Sequence, residues 1–239
     1  MTNDPREFLL KSFNAAVKAA QPNLCLPQFL PASPKGNIIV IGAGKASAAM
    51  AACVEKHYNS KVCGLVITRY GYNVHCHNIE IVEAGHPIPD LDGYNATLRL
   101  LRILASVTED DLVLCLLSGG GSSLLTLPVE GLSLEEKQGI NTMLLHSGAA
   151  IDEINIIRKH LSQVKGGRLA ALCGRARLLT LVVSDVVDDN LSCVICFESK
   201  RELLFRPCNH MACCKDCGKN LTECPMCRQT IESKETVFL

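Results

Sequence analysis

The chain has 239 residues, 48% hydrophobic and 20% charged, a globular composition with room for one large domain or two smaller ones at roughly 100–200 residues each. Lys plus Arg and Asp plus Glu number 24 each, with 17 basic and 18 acidic residues up to position 189 and 7 and 6 beyond it, so no charge asymmetry points to nucleic acid or an anionic membrane as partner. The longest apolar runs, such as Leu112 to Leu117, fall far short of the roughly 20 residues that span a bilayer, and the N-terminus MTNDPREFLL has no basic region followed by an apolar core, so a cytoplasmic location is expected.

Up to about residue 189 the chain alternates short β-branched runs with helical patterns. Strands are predicted over Asn37 to Ile41, Val62 to Thr68, Ile79 to Glu83, Asp111 to Leu117 and Leu178 to Ser184, several of them apolar on both faces as parallel strands under helices should be. Helices are predicted from Pro5 to Ala20, Lys45 to Tyr58, Leu91 to Ser106, Leu134 to Leu145, Asp152 to Ser162 and Gly166 to Leu172, with Asp90 and Ser133 as N-caps and Glu136 completing a Ser-x-x-Glu capping box. PQFLPASPKG, with three prolines, reads as a linker into the first strand. This alternation predicts a doubly wound, mainly parallel α/β domain.

Two glycine-rich turns close the carboxyl ends of predicted strands, the side on which open α/β sheets bind ligands. In Gly42-Ala43-Gly44-Lys45, backbone N–H groups, a helix start and a Lys ammonium converge as an anion would require. It is neither a Walker A loop nor GxGxxG, since Ala46 stands where Ser or Thr would hold Mg²⁺ and Ser47 takes the last glycine position. In Ser118-Gly119-Gly120-Gly121-Ser122-Ser123, consecutive glycines can curl N–H groups around phosphate oxygens. On the predicted helix IDEINIIRKHLSQVKGGRLA, Asn155, Arg158 and Ser162 share one face with Lys159 beside it, which suits an acidic ligand. In Val74-His75-Cys76-His77, alternate residues of a strand point to opposite faces, so a metal site is not expected.

These residues carry a resemblance. GAGKASAAMA, AGHPIPD, LSGGGSSLL, LLHSGAAIDEIN through RKHLSQVKGGRLA, and LVVSDVV resemble the N-terminal domain of the glycerate 2-kinase family, also known as hydroxypyruvate reductase and related to the MOFRL proteins, over about residues 5 to 187. The resemblance implies transfer of the ATP γ-phosphate to D-glycerate with Mg²⁺. It gives Lys45 the part of active-site lysine, the loop from Ser118 to Ser123 phosphate binding, and Arg158, Lys159 and Lys165 charge neutralisation. The family continues Ser-Asp-Val-Val as Gly-Asp, whereas Ser184-Asp185-Val186-Val187 is followed here by Asp188-Asp189-Asn190, and the second domain that closes the family's cleft is not found. Little glycerate kinase activity is expected from this chain alone.

Eight of the 14 cysteines lie between 193 and 227. The other six, at 25, 53, 63, 76, 115 and 173, sit in mostly apolar surroundings and are expected to be buried thiols. The cluster reads Cys193-x2-Cys196-x11-Cys208-x-His210-x3-Cys214-x2-Cys217-x6-Cys224-x2-Cys227, which supplies eight ligands for two tetrahedral Zn²⁺ sites, with Cys213 a competitor of Cys214. Clustered thiols in a reducing compartment point to metal rather than disulfides, and without metal about 50 residues could hardly fold by burial alone.

PCNHMACCKDC followed by CPMCRQTI resembles the C-terminal RING fingers of inhibitor-of-apoptosis and mind bomb type ubiquitin ligases, over residues 193–239. The resemblance implies a small cross-braced domain in which Cys193, Cys196, Cys214 and Cys217 hold one zinc and Cys208, His210, Cys224 and Cys227 the other; pairing of sequence neighbours is the alternative. It also implies that Ile195 and Pro225 contact a ubiquitin-conjugating enzyme, that Arg228 is the linchpin touching both that enzyme and ubiquitin, and that Phe238 packs across a RING homodimer. A RING needs no nucleophile, since it catalyses by orienting the charged conjugating enzyme.

The expected organisation is an incomplete glycerate kinase-like α/β domain over 1–189 and a RING-type zinc finger over 190–239, acting together as a RING ubiquitin ligase. The alternatives are a glycerate 2-kinase with an appended RING, which would use ATP and Mg²⁺, and a fusion without joint function.

Overall fold

A computed structural model describes residues 4–149, 151–183, 201–208, 210–225 and 229–236. The chain divides into two compact units, residues 1–185 and 186–239.

The first unit is a five-stranded parallel sheet in the order β3-β2-β1-β4-β5. Its strands are β1 (Ile38–Ala43), β2 (Val62–Arg69), β3 (Ile79–Ala84), β4 (Leu112–Ser118) and β5 (Arg177–Val183). All six residues of β1 are buried, because both its neighbours and both its faces are covered. Alternation divides the apolar side chains into two cores. Ile38, Val40, Val66, Leu112 and Leu114 pack on one face against Met50, Ala51 and Val54 of helix α3 (Ser47–Tyr58). Ile39, Ile41, Leu65, Ile67 and Val113 pack on the other against Ala96, Leu100 and Leu104 of α4 (Leu91–Leu104). The sheet is doubly wound, as the sequence predicted.

Helix α1 (Pro5–Ala19) buries no residue. The proline-rich segment after it is more than a linker: α2 (Pro22–Cys25) and a 3₁₀ turn at Pro27–Phe29 lead through buried Leu26, which joins the α3 core. Asp90 caps α4 by accepting from the N–H of Gly93 at 3.0 Å. Ser133 and Glu136 form the predicted capping box at the start of α6 (Leu134–His146), which follows the short α5 (Gly121–Leu124). Helix α7 (Ile151–His160) and the single turn α8 (Arg168–Ala171) complete the unit. Of the six scattered thiols Cys53, Cys115 and Cys173 are buried and Cys25 and Cys76 half-buried, but Cys63, the second residue of β2, is exposed.

In the second unit β6 (Leu203–Arg206) lies between β7 (His210–Cys213) and β8 (Ser233–Thr236), antiparallel to both. A one-turn helix, α9 (Lys215–Gly218), follows β7. The core is small: Leu203, Phe205, Ala212, Cys213, Cys214 and Cys224, with Leu221 and Ile231 against it.

Candidate functional site

Order β3-β2-β1-β4-β5 makes the chain leave β1 and β4 toward opposite sides of the sheet, so the crevice of an open α/β fold lies at their carboxyl ends. Ala43 is in register with Leu117, which sets Gly44 beside Ser118. Side-chain room there is nil: a Cβ on Gly44 would meet Ser118 Oγ at 2.1 Å.

Ser118 Oγ accepts from the N–H of Ala46 at 3.0 Å and lies 3.1 Å from Ser47 Oγ, while the N–H of Lys45 donates to the Gly119 carbonyl and that of Gly44 to Ile67. This corrects one expectation. The backbone donors of Gly44 and Lys45 bind the neighbouring strands and loop, so the Gly42–Lys45 turn offers an anion its lysine side chain rather than a cradle of N–H groups.

The second turn keeps its donors. Gly120 adopts a left-handed φ of 87° and opens α5, and among the described residues the N–H groups of Gly120, Gly121 and Ser122 donate to no other residue. A Cβ on Gly120 would lie 2.8 Å from His86 Nε2 and 3.5 Å from Lys45 Cγ, so both side chains flank this loop. Burial, then Lys45 and Arg69, hold the His86 imidazole below its usual range.

Two hollows, with Ser122, Arg158 and Lys165 common to their walls, adjoin the loop. The larger, of about 600 Å³, is lined by Gly121, Ser122, Asn155, Arg158, Lys159 and Lys165 together with apolar residues from β1, β4 and β5. The smaller, about 270 Å³, has His86, Gly120, Ser122, Ser123, Lys137, Asn141, Arg158 and Lys165 in its wall. Ser162 is not part of either: α7 has ended at His160, and Ser162 is buried with its Oγ accepting from Val164 N.

Lys137 and Lys165 are the residues that give the site its character. Lys137 Nζ donates to the Leu161 carbonyl at 2.9 Å and Lys165 Nζ to Leu125 at 2.7 Å. Neither they nor Arg158 form an ion pair among the described residues, and no Asp or Glu lines either hollow. Burial, and secondarily Arg158, push Lys137 down to about 8; burial, Lys137 and Arg158 push Lys165 down to about 7. Three basic groups packed together without a carboxylate form a site for an anion. Sequence reasoning missed Lys137 and His86. Lys137 sits one turn past the Ser133 cap, on a helix with weak amphipathic character, and nothing in its neighbours marks a lysine as 5% exposed.

The His75-Cys76-His77 run is not a strand, and the rings of His75 and His77 lie edge to face at 4.8 Å, so the argument from alternation does not apply. Among the described residues, however, the one group of three metal-ligating side chains is elsewhere.

That group is Cys208, His210 and Cys224, whose ligand atoms lie within 4.8 Å of one another. Strand β7 presents His210, the turn before it Cys208, and Cys224 comes from a bracket closed by Cys224 N to Gln229 O and Ile231 N to Thr222 O, each 2.8 Å. Cys224 Sγ is 3.6 Å from His210 Nδ1. Zinc bonds of roughly 2.3 Å to sulfur and 2.0–2.1 Å to nitrogen, meeting at the tetrahedral angle, put those atoms about 3.5–3.6 Å apart, so the donor set fits the ion. Cys214 and Cys217 lie at the N-cap and third position of α9, spaced to project together. Cys213 is wholly buried beside Phe205 and Leu203, and Cys214 is nearly so in the same core. Cys193, Ile195, Cys196, Cys227, Arg228 and Phe238 lie outside the described residues; Pro225 is exposed beside Cys224.

Residues 8–196 match a family described as a domain of unknown function, DUF4147. The chain belongs to the DUF4147 family. The match runs past Val187 and overlaps a second match, residues 189–234, to the C3HC4-type RING finger. The DUF4147 part is 41% identical over 191 residues to D-glycerate 2-kinase of Thermotoga maritima, covering 79% of this chain and 46% of that protein. It is 40% identical over 203 residues to glycerate 2-kinase of Pyrococcus horikoshii, covering 80% and 46%. The crystal structure of glycerate kinase from Thermotoga maritima superposes with a TM-score of 0.70 at 41% identity, covering 77% of this chain and 45% of that one. The chain thus carries a glycerate kinase-like N-terminal domain and a RING zinc finger, and spans less than half the length of the curated relatives it matches.

Proposed function

We propose that the protein is a RING-type ubiquitin ligase, in which two zinc ions hold a surface that binds a ubiquitin-conjugating enzyme and ubiquitin, and in which the DUF4147 domain serves as a substrate-binding or structural module. The observation that carries this reading is the convergence of Cys208, His210 and Cys224, three of the four ligands that the cross-braced arrangement assigns to one zinc. Cys227 is the fourth, and Cys193, Cys196, Cys214 and Cys217 form the other site. Zinc supplies the folding energy, because so small an apolar core cannot hold the loops by burial alone. Catalysis is by orientation: Ile195 and Pro225 hold the conjugating enzyme, and the forked donors of Arg228 fix ubiquitin against it so that the thioester is exposed to attack. Phe238 adds a homodimer contact.

The test is reconstitution. Zinc-loaded full-length protein with activating enzyme, a panel of conjugating enzymes, ubiquitin and ATP should build ubiquitin chains on itself, with Arg228→Ala reducing the rate at least ten-fold without loss of zinc. Silence across the panel, or activity indifferent to Arg228→Ala and Cys208→Ala, overturns it.

A second reading rests on the unpaired cations of Arg158, Lys137 and Lys165 beside the Ser118–Ser123 loop, which suit the phosphates of ATP or the carboxylate of glycerate. On this reading the chain is a glycerate 2-kinase with Lys45 at the reacting phosphate, and phosphorylation of D-glycerate abolished by Lys45→Ala is the result that would favour it.

A further inference from the structure

Lys165 is unusual among the lysines of this chain. It follows α7 in the tight turn Lys165–Gly167, and its side chain runs inward to line both hollows, where its Nζ donates to one backbone carbonyl, Leu125 O at 2.7 Å. A carbonyl accepts a hydrogen bond from a neutral amine as well as from an ammonium, so this contact does not require the charge. The charged and titratable groups around it are Lys137 from α6, Arg158 and Lys159 from α7, His86 across the smaller hollow, and the Cys115 and Cys173 thiols in the wall of the larger; among the described residues no carboxylate joins them. Burial, then the neighbouring Lys137 and Arg158 charges, favour the neutral amine over the ammonium, with Lys165 pushed down to about 7. An amine lowered this far holds a far larger neutral fraction near neutral pH than an ordinary lysine, whose value lies near 10.4. A desolvated lysine beside other cations is the arrangement that makes an amine nucleophilic toward a carbonyl carbon.

The cavity says which carbonyl. Ser122 and Arg158 line both hollows with Lys165, so a ligand anion held by Arg158 and the N–H groups of Gly121 and Ser122 would share its hollow with the Lys165 amine. About 600 Å³ admits a molecule of a few to some twenty heavy atoms. We propose that Lys165 is a reactive amine that condenses reversibly with a small aldehyde or ketone bearing a carboxylate or phosphate group. The Nζ lone pair attacks the carbonyl carbon and the oxygen takes up the proton that nitrogen loses, giving a carbinolamine. That hydroxyl takes a proton from solvent and leaves as water while the nitrogen keeps its hydrogen, which gives an iminium whose charge the ligand anion balances. No oxidant or reductant takes part. The inference does not depend on the ubiquitin-ligase reading and uses none of its residues.

Borohydride trapping tests it, because hydride adds to the iminium carbon and leaves a permanent secondary amine that mass spectrometry locates. Full-length zinc-loaded protein is incubated at pH 7 with glyoxylate, and separately with pyridoxal 5′-phosphate, reduced, digested and mapped. One adduct per chain on Lys165, forming at least ten-fold faster than on any surface lysine and slowed at least ten-fold by inorganic phosphate or by Arg158→Ala, is the expected result. Lys165→Arg should abolish that adduct while circular dichroism and thermal melting remain those of a folded protein. If Lys165→Arg unfolds, trapping on the unaltered chain across pH 6–9 still decides: rising labelling of Lys165 centred near pH 7 supports the proposal. Adducts spread over surface lysines, adducts on Lys137 in place of Lys165, or equal rates with an uncharged aldehyde such as propanal overturn it.

Discussion

His210 Nδ1 and Cys224 Sγ lie 3.6 Å apart although a helical turn and a loop separate them in the chain. Hydrogen bonding between a thiol and an imidazole is a weak reason to bring these two residues together; a shared ion explains the distance and also the approach of Cys208. The protein should therefore hold two Zn²⁺ per chain by elemental analysis. His210→Ala or Cys224→Ala should lower the content to one or to none, the second outcome arising if the cross-braced loops fold as a unit. Chelation should unfold residues 201–236 while the parallel sheet keeps its far-ultraviolet dichroism and its thermal transition. Zinc content of zero with an intact β6-β7-β8 sheet would remove the basis of the RING assignment.

Gly44 faces Ser118 with no space for a side chain. The Cβ of an alanine would stand 2.1 Å from Ser118 Oγ and 2.6 Å from its carbonyl oxygen, and φ is +147°. The clash is with backbone as well as side chain, so rotation of Ser118 cannot relieve it. Gly44→Ala should cost about 3 kcal/mol or more in urea unfolding of the α/β unit. The double variant with Ser118→Ala should recover less than half of that, since the carbonyl remains.

The capping box at α6 was legible from four letters, Ser133-Leu134-Glu135-Glu136, and the structure forms both of its hydrogen bonds: Glu136 N to Ser133 Oγ at 3.1 Å and Ser133 N to Glu136 Oε2 at 2.8 Å. Ser133→Ala should destabilise the unit by about 1 kcal/mol and Ser133→Gly by a few tenths, with hydrogen exchange accelerated in the first turn of α6, where Lys137 begins to cover the site.

The sheet and its strand boundaries were readable for a similar reason: β1 and β4 are covered on both faces, so their apolar runs are continuous, and tertiary context does not overrule a pattern it created. The zinc ligands announce themselves by spacing because the ion demands it. What local patterns could not give was depth. Lys137 and Lys165 look like any surface lysines in one dimension, and Lys137 is buried and Lys165 half-buried because the turns at Leu161 and Leu125 supply carbonyls that have no sequence signature. For the same reason the Gly42–Lys45 turn was misread in part: whether Lys45 N–H is open to a ligand depends on Gly119, which is 74 residues away and reaches it only through the β1–β4 pairing.

Lys165 should make stability depend on pH in a defined direction. Its native pKa of about 7 lies below the ordinary lysine value near 10.4 of the unfolded chain. Below pH 7 both states carry the proton and the native state bears the full penalty of a buried cation. Between about pH 7 and 10 the unfolded chain holds the proton that the native state has lost, so stability rises with pH over that window. Lys165→Met, which keeps the apolar stem and removes the amine, should therefore stabilise the α/β unit at pH 6, by about 2–4 kcal/mol after allowance for the lost hydrogen bond to Leu125, and the gain should shrink toward zero or reverse by pH 10. Phosphate should narrow the difference at pH 6, because a bound anion offsets the same charge in the unaltered chain. Urea titrations of both proteins at pH 6, 8 and 10, with and without phosphate, measure all three quantities. A difference between them that is independent of pH would mean that Lys165 is solvated and ordinary, with its ammonium reaching water through the mouth of the larger hollow.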